Sequence, residues 1–372
     1  MPDVLIFGAG SIGNHLAYAA SQKKWNVSVT DKDINALNRM KESIYPSRYG
    51  IWNKKINLIE KSIHFKKFYD YIFIGTPPDT HIEVAINVLR STKCKTMMIE
   101  KPLSTPELSK NEILLNLLEK EKIECFVGYT HAASKVFSKL IELKKRKKNL
   151  GKLNKLTINW KEHWEGIFKA HPWLNGPSDS YLGKWKNGGR ALGEHSHGLN
   201  LCIVISKLFD MGKIVELNSE ITYKRGENYL YDSISKVNFH TENGLIGTLI
   251  QDVVTNPPQK IILAEFENGN ITIEINKESS YDILIYQDKF SKDIHKYHKN
   301  RPDDFYDELN HIETFNENSS ESPLSIHNGL ETMLIISAAH ISASNLNKSV
   351  KINYSKGYTN NSISINEKEK ND

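Results

Sequence analysis

Cysteine is scarce in this chain of 372 residues: Cys94, Cys125 and Cys202 stand far apart and are odd in number. That argues against a disulfide framework and suits a reducing compartment, so a cytoplasmic location is expected. No apolar run reaches the roughly 18 residues that a spanning helix needs, so no membrane partner is expected. Nor does a basic stretch with a cleavage site precede the first apolar run, which starts directly after Met1-Pro2-Asp3 and does not read as a secretory signal. Excess charge is scarce as well. A net +5 is compatible with an anionic substrate but too small to argue for a nucleic-acid partner. The densest basic run, Lys144 to Lys148, reads as the solvated end of a helix before Gly151, where cations complement the helix dipole. What remains is ordinary globular usage, 39% apolar and 25% charged, in a chain long enough for two domains.

The first 128 residues alternate short apolar runs with helical periodicity. Val4 to Phe7, Val27 to Thr30, Tyr71 to Ile74, Thr96 to Ile99 and Cys125 to Val127 read as buried strands, separated by amphipathic stretches. Such alternation gives a parallel sheet covered on both faces. After Gly151 the texture changes. Runs from Lys155 to Trp164, Ile214 to Tyr223, Ile234 to Phe239, Leu245 to Gln251, Ile261 to Phe266, Ile271 to Ile275 and Ile283 to Tyr286 are joined by short loops such as Glu242-Asn243-Gly244. These favour an open, mainly antiparallel sheet. Helices are expected around Phe305 to Phe315 and Ile326 to Leu346. The fold class is therefore α/β: a doubly wound domain over residues 1–128, an α/β domain over residues 129–354 for substrate binding and oligomerisation, and a loose polar tail over residues 355–372.

Gly8-Ala9-Gly10-Ser11-Ile12-Gly13 follows the first strand and opens the first helix. Gly8 permits a tight turn, Gly10 lets backbone amides approach a pyrophosphate, and Gly13 lets helix and strand pack closely. Asp31 ends the second strand, eighteen residues beyond Gly13, where a carboxylate would take the adenosine ribose hydroxyls. It would also repel a 2′-phosphate. NAD is favoured, with NADP left open because Lys32 is adjacent. Gly75-Thr76-Pro77-Pro78-Asp79-Thr80-His81 and Glu100-Lys101-Pro102-Leu103 leave two further strands at the same sheet edge, with Thr80 a candidate helix N-cap. Lys101 is either a solvated charge or, beside the expected nicotinamide, a polar catalytic group.

In order and spacing these three segments resemble the Gfo/Idh/MocA oxidoreductases, the family of glucose–fructose oxidoreductase and inositol dehydrogenase. The resemblance extends to about Asn347. It implies a Rossmann domain, then an open, mainly antiparallel sheet that presents the substrate pocket and often the interface of a dimer or tetramer. It assigns cofactor contacts to Gly8, Gly10, Ser11, Ile12, Gly13, Asp31, Thr76, Pro77, His81, Glu100 and Lys101. His171-Pro172-Trp173, Ser180-Tyr181 and the run Gly188 to Asn200 look like the family's glycine-rich segment and the helix carrying a catalytic histidine. Glu194, Ser196 and His197 are similar to members from bacterial surface-polysaccharide and nucleotide-sugar pathways, which implies a sugar or nucleotide-sugar substrate.

The chemistry expected on this basis is hydride transfer between nicotinamide and a hydroxyl or keto carbon. Lys101 polarises the oxygen, His197 exchanges its proton, and Glu194 or Asn200 orients the imidazole or a neighbouring hydroxyl. Many relatives carry Asp where this chain has Asn200, glycine where it has Arg190, and arginine near Tyr129-Thr130-His131-Ala132-Ala133. Two rival functions stay open: an NAD-dependent glycosidase with no net redox change, and a non-catalytic sensor of cofactor or sugar. No metal is expected. His195 and His197, on one helix, would point about 200° apart, and His295 and His298 lie in a polar, solvated stretch. Trp160, Trp164, Trp173 and Trp185 are expected around the pocket, some as core and one as a sugar platform.

Overall fold

The structure is a computed structural model and describes residues 1–60, 64–146, 150–170, 174–277, 280–300, 302–315 and 319–366. His171-Pro172-Trp173 and part of the basic run at Lys144 to Lys148 lie outside the described residues.

The first sheet holds β1 (Asp3–Phe7), β2 (Asn26–Thr30), β3 (Asn57–Ile59), β4 (Phe68–Ile74), β5 (Lys93–Ile99) and β6 (Glu124–Val127), in the order β3-β2-β1-β4-β5-β6. Every pairing in it is parallel. The strand order therefore reverses between β1 and β4, and ligands of open α/β sheets bind at the carboxyl ends of strands beside such a switch. Backbone bonds step across that edge, from Gly8 N to Thr30 O, Gly75 N to Phe7 O, Glu100 N to Ile74 O and Gly128 N to Ile99 O. The loops expected to hold the cofactor thus stand side by side.

The second sheet has ten strands: β7 (Leu153–His163), β8 (Ile214–Arg225), β9 (Leu230–Thr241), β10 (Ile246–Asp252), β11 (Val254–Phe266), β12 (Gly269–Lys277), β13 (Tyr281–Asp288), β14 (Lys292–His298), β15 (Val350–Ile352) and β16 (Ile363–Ile365). Among the described residues of these strands, only β7 and β10 pair in parallel; the other pairings are antiparallel. The helix Ile326–Ser344 packs against β8 of this sheet and β6 of the first, which explains why it is apolar on nearly all sides. The helix Asp303–Thr314 packs on the first helix, Ser11–Gln22. Late chain therefore covers the early sheet.

Two expectations, the loose tail and the Thr80 cap, need correction. The segment after Ser355 is not a loose tail as far as Asn366: β16 pairs with β15, and Tyr358 N donates to Glu112 Oε1 at 2.7 Å. The polar stretch with His295 and His298 holds no fully buried residue, as expected, while forming the edge strand β14 paired with β13. Thr80 is not an N-cap, because its helix begins at Pro78 and Thr80 lies in the first turn. No helix among the described residues is long and apolar enough to cross a membrane.

Candidate active site

A cleft of about 1640 Å³ runs from the glycine-rich turn to the helix that begins at His197, lined by residues of both sheets' loops. Isolated ligand pockets are typically about 300–1,000 Å³, so this one has room for a dinucleotide and a second ligand together.

At the first end, steric demands explain the glycines. Gly8 has φ +103°, and a Cβ there would fall 2.6 Å from Gly75 O. A Cβ on Gly13 would fall 1.8 Å from Gly8 O, so that helix and turn meet backbone to backbone. Gly10 differs: a Cβ on it would meet no protein atom within 4 Å. The open space beside its amides fits a pyrophosphate. Asp31 is fixed at the end of β2, with Oδ2 accepting from Ala9 N at 2.8 Å and Oδ1 from Asp33 N at 2.9 Å. Its carboxylate lines the cleft where a ribose would lie, and the residues fit the dinucleotide that the motif implies.

Gly8, Gly10, Ser11, Ile12, Asp31, Thr76, Pro77, Glu100 and Lys101 all line the cleft; Gly13 and His81 do not. His81 is buried between two loops, with Nε2 2.6 Å from Thr76 O and Nδ1 3.0 Å from Pro102 O. Burial lowers its pKa to about 4, against the pull of those carbonyls, and a neutral ring donates to one of the two. It braces the loops that leave β4 and β5 and does not itself line the cleft. Sequence spacing cannot distinguish a residue that touches a ligand from one that holds its loop.

At the other end the glycine-rich segment crosses the first domain's loops. Gly188 has φ +85°, and a Cβ there would meet Pro78 at 2.8 Å and Pro102 at 3.3 Å. Arg190, in the place where glycine was expected, has φ +69°, a left-handed conformation that costs a non-glycine residue roughly 1–2 kcal/mol. Its buried guanidinium lies against the Trp164 ring, and burial lowers its pKa to about 9. The short helix that follows, Arg190–Glu194, delivers Glu194. Lys101 Nζ donates to Glu194 O at 2.8 Å and to Oε1 at 3.0 Å, while Tyr181 OH donates to Oε2 at 3.2 Å. Burial and the adjacent Glu194 push the Tyr181 phenol well above its ordinary pKa, so it stays a donor.

The chain breaks helix at His195 and Ser196 and starts a new helix at His197. The expected single helix through both histidines is therefore two. His197 lines the cleft beside an aromatic wall: its ring lies 4.7 Å from His131, 5.7 Å from Tyr129 and 5.9 Å from Trp160, centroid to centroid. Asn200 does not reach the cleft. It is buried, and its amide donates to Thr332 Oγ1 at 3.3 Å on the helix Ile326–Ser344. This bond ties the helix that begins at His197 to the helix Ile326–Ser344.

Several lining residues carry no motif. Trp160 and Glu162 lie two apart on β7 and so share its cleft-facing side; that alternation is the one signal that would have found them. Lys260 on β11 forms an ion pair with Glu162 Oε1, and His195 Nδ1 is 3.9 Å from Oε2. Burial opposes ionisation of Glu162, but Lys260, His195 and Lys101 outweigh it and hold its pKa at about 2. Burial likewise lowers the His195 pKa, with Glu162 acting the other way. Of the tryptophans, Trp160 alone among the described ones lines the cleft. Trp164 packs on Phe168 and Arg190, and Trp185 stacks on His340 at 4.0 Å. Among the described residues no group of His, Cys, Asp and Glu is arranged to hold a metal ion.

Residues 3–129 match the model of the Gfo/Idh/MocA family, described as an oxidoreductase family with an NAD-binding Rossmann fold. No curated protein matches the chain. Solved structures share its fold along nearly the whole length. The WlbA dehydrogenase from Bordetella pertussis, in complex with NADH and UDP-GlcNAcA, is 16% identical with a TM-score of 0.67, over 94% of this chain and 98% of its own. An oxidoreductase from Agrobacterium radiobacter, in complex with NAD+, L-tartaric acid and magnesium, is 14% identical with a TM-score of 0.70, over 94% and 98%. The super-repressor mutant of Gal80p from Saccharomyces cerevisiae is 13% identical with a TM-score of 0.74, over 95% and 98%. At these identities the likeness is one of fold.

Proposed function

We propose that this chain, whose residues 3–129 form an NAD-binding Rossmann domain of the Gfo/Idh/MocA oxidoreductases, is a cytoplasmic dehydrogenase or reductase of a sugar or nucleotide sugar, working in surface-glycan biosynthesis. The observation that carries the reading is that Lys101, rooted at the cofactor edge, reaches Glu194 in a cleft that His197 also lines.

Bound at the glycine-rich turn, NAD(H), or NADP(H) as the alternative, supplies the hydride acceptor or donor. The chain's own residues handle the proton and the oxygen. Lys101 has three N–H donors. Two are directed to Glu194, which leaves the third for a substrate hydroxyl or carbonyl oxygen. A substrate oxygen held there is polarised by a cation whose position Glu194 and Tyr181 fix. His197 takes the hydroxyl proton in oxidation and returns it in reduction. Glu162 and Lys260, which keep some exposure at the cleft, offer hydrogen bonds to sugar hydroxyls, while Trp160, buried against the His131 and His197 rings, backs that wall.

A sensing role without turnover is the second reading, favoured by Asn200, which faces Thr332 instead of the cleft. The deciding experiment titrates NADH and NADPH by fluorescence, then follows the reduced-nicotinamide band with a panel of sugar nucleotides. Net turnover is expected, with Lys101→Ala lowering it by about 10²–10⁴-fold while leaving NADH affinity within a few-fold. Unchanged turnover in that variant would remove Lys101 from the mechanism. Binding without net turnover, followed by glycan release, would favour the glycosidase; binding alone would favour the sensor. We also propose a homo-oligomer, a dimer or tetramer, formed through the outer face of the second sheet.

A further inference from the structure

The glycine-rich turn itself contains no cation, and the helix N-terminus behind it offers about half a unit charge to a diphosphate that carries two. A guanidinium from elsewhere in the chain stands beside that turn. After β2 the backbone passes through a π-helical turn, Met40–Ile44, into the short helix Tyr45–Tyr49. Aromatic contacts pin this segment to the first helix. Tyr49 stacks on Tyr18 with centroids 3.7 Å apart, and Tyr45 meets Tyr49 edge-on at 5.4 Å. Tyr49 OH is hydrogen-bonded to His15 Nδ1, and His15 stacks on Phe305 of the helix Asp303–Thr314 at 4.7 Å.

Held in this way, Arg48 donates through Nη1 to Ser11 O at 3.1 Å and through Nη2 to Ser11 Oγ at 3.0 Å, with His15 Nε2 3.2 Å from Nη1. Ser11 is the residue after Gly10, whose free side opens into the cleft, and Arg48, Ser11 and Gly10 all line it. Two carboxylates at this end have partners of their own. Asp31 accepts from two backbone amides, and Asp304 is paired with Lys299 at 2.9 Å. We infer that Arg48 is a cofactor-binding residue whose guanidinium, bonded to Ser11, clamps the dinucleotide's diphosphate against the glycine-rich turn. The inference rests on the dinucleotide reading of the cleft and adds to it a contact from outside the motif. A planar fork suits the role, since guanidinium binds phosphate oxygens two at a time.

The test compares wild type with Arg48→Ala and Arg48→Gln, measuring affinities for NADH, ADP-ribose, NADPH and adenosine by calorimetry or competition. The expected result is a loss of roughly 10- to 100-fold for NADH and ADP-ribose alike, the worth of hydrogen bonds to a charged group. Adenosine affinity is expected to stay unchanged in both variants, which also verifies that they are folded. Equal affinity of wild type and variants for NADH and ADP-ribose would overturn the inference. A loss confined to NADPH would overturn it in favour of a 2′-phosphate contact, and an equal loss for adenosine would make Arg48 a structural support only. Failure of wild type to bind any dinucleotide would instead overturn the cofactor reading, and Arg48's role with it.

Discussion

A methyl group at Gly10 would meet nothing within 4 Å, whereas one at Gly13 would lie 1.8 Å from a backbone oxygen. Two substitutions of the same size therefore separate folding from binding. Gly10 has φ −80°, which alanine adopts without strain, so Gly10→Ala is expected to leave the melting temperature within a degree or two. Its methyl group would occupy the space offered to the pyrophosphate. NADH at about 100 times its dissociation constant stabilises a binding protein by about 2.7 kcal/mol, and that thermal shift is expected in wild type and absent in Gly10→Ala. Gly13→Ala is expected to lower stability by several kcal/mol with or without NADH, because backbone must move. A full NADH-dependent shift in Gly10→Ala would place the pyrophosphate elsewhere. At this scale the motif residues were legible because their chemistry is local: a turn, a close approach, a carboxylate at a strand end. That His81 and Asn200 stand back from the cleft is not legible, because their partners, Pro102 O and Thr332, come from elsewhere in the chain. Arg48 was missed because its place depends on an aromatic stack that no spacing rule encodes.

The short helix Arg190–Glu194, which aims Glu194 at Lys101, is tied to β9 by one carboxylate: Asp232 Oδ2 accepts from Leu192 N at 2.7 Å and from Ser235 Oγ at 3.3 Å. Asp232 is fully buried, and burial pushes its pKa up to about 7 despite those bonds. In the unfolded chain an aspartate titrates near 3.9. The folded state thus binds the proton more tightly, and this contribution to stability is complete below about pH 4 and is lost as pH rises through about 7. At about 1.4 kcal/mol per pKa unit the full swing is about 4 kcal/mol or less. Asp232→Asn, which cannot ionise, is expected to remove that slope, so the difference in urea midpoint between variant and wild type should move in the variant's favour between pH 4 and 8. A pH-independent difference would refute the assignment. Elements were legible wherever apolar residues alternated or ran continuously, as in β1, β4, β5 and β9. They were illegible in β14, whose sequence KDIHKYH is too polar for the pattern, and in β16, three residues in an Asn- and Ser-rich stretch. Those strands exist because a neighbouring edge offers hydrogen bonds, which is a property of the sheet rather than of the segment.

At the scale of the whole molecule, the ten-stranded sheet has one face covered by helices, and its other face carries apolar side chains among polar ones. Cross-strand register puts Ile285 opposite Ile294, and Ile261 opposite Glu274, which in turn faces Ile283. Along the same face Ile246 is 52% exposed, Ile294 52% and Ile234 39%. The strand β13 hints at this in its sequence, because Ile283, Leu284, Ile285 and Tyr286 are apolar on both faces, although only Leu284 and Tyr286 are buried by the chain itself. An open sheet that leaves isoleucines exposed on its outer face gains from a second cover, and another copy of the same face supplies one by two-fold symmetry. The expected outcome is a dimer or larger assembly in sedimentation velocity at micromolar concentration. Ile246→Asp combined with Ile294→Asp should shift it to monomer. Because both side chains already face solvent within one chain, the folded monomer should lose little stability, within about 0.5 kcal/mol per site. NADH affinity should also survive, since neither residue lines the cleft. A wild-type protein that sediments as a monomer, or a double variant that still assembles, would remove this face from the interface and leave its exposed isoleucines to another partner.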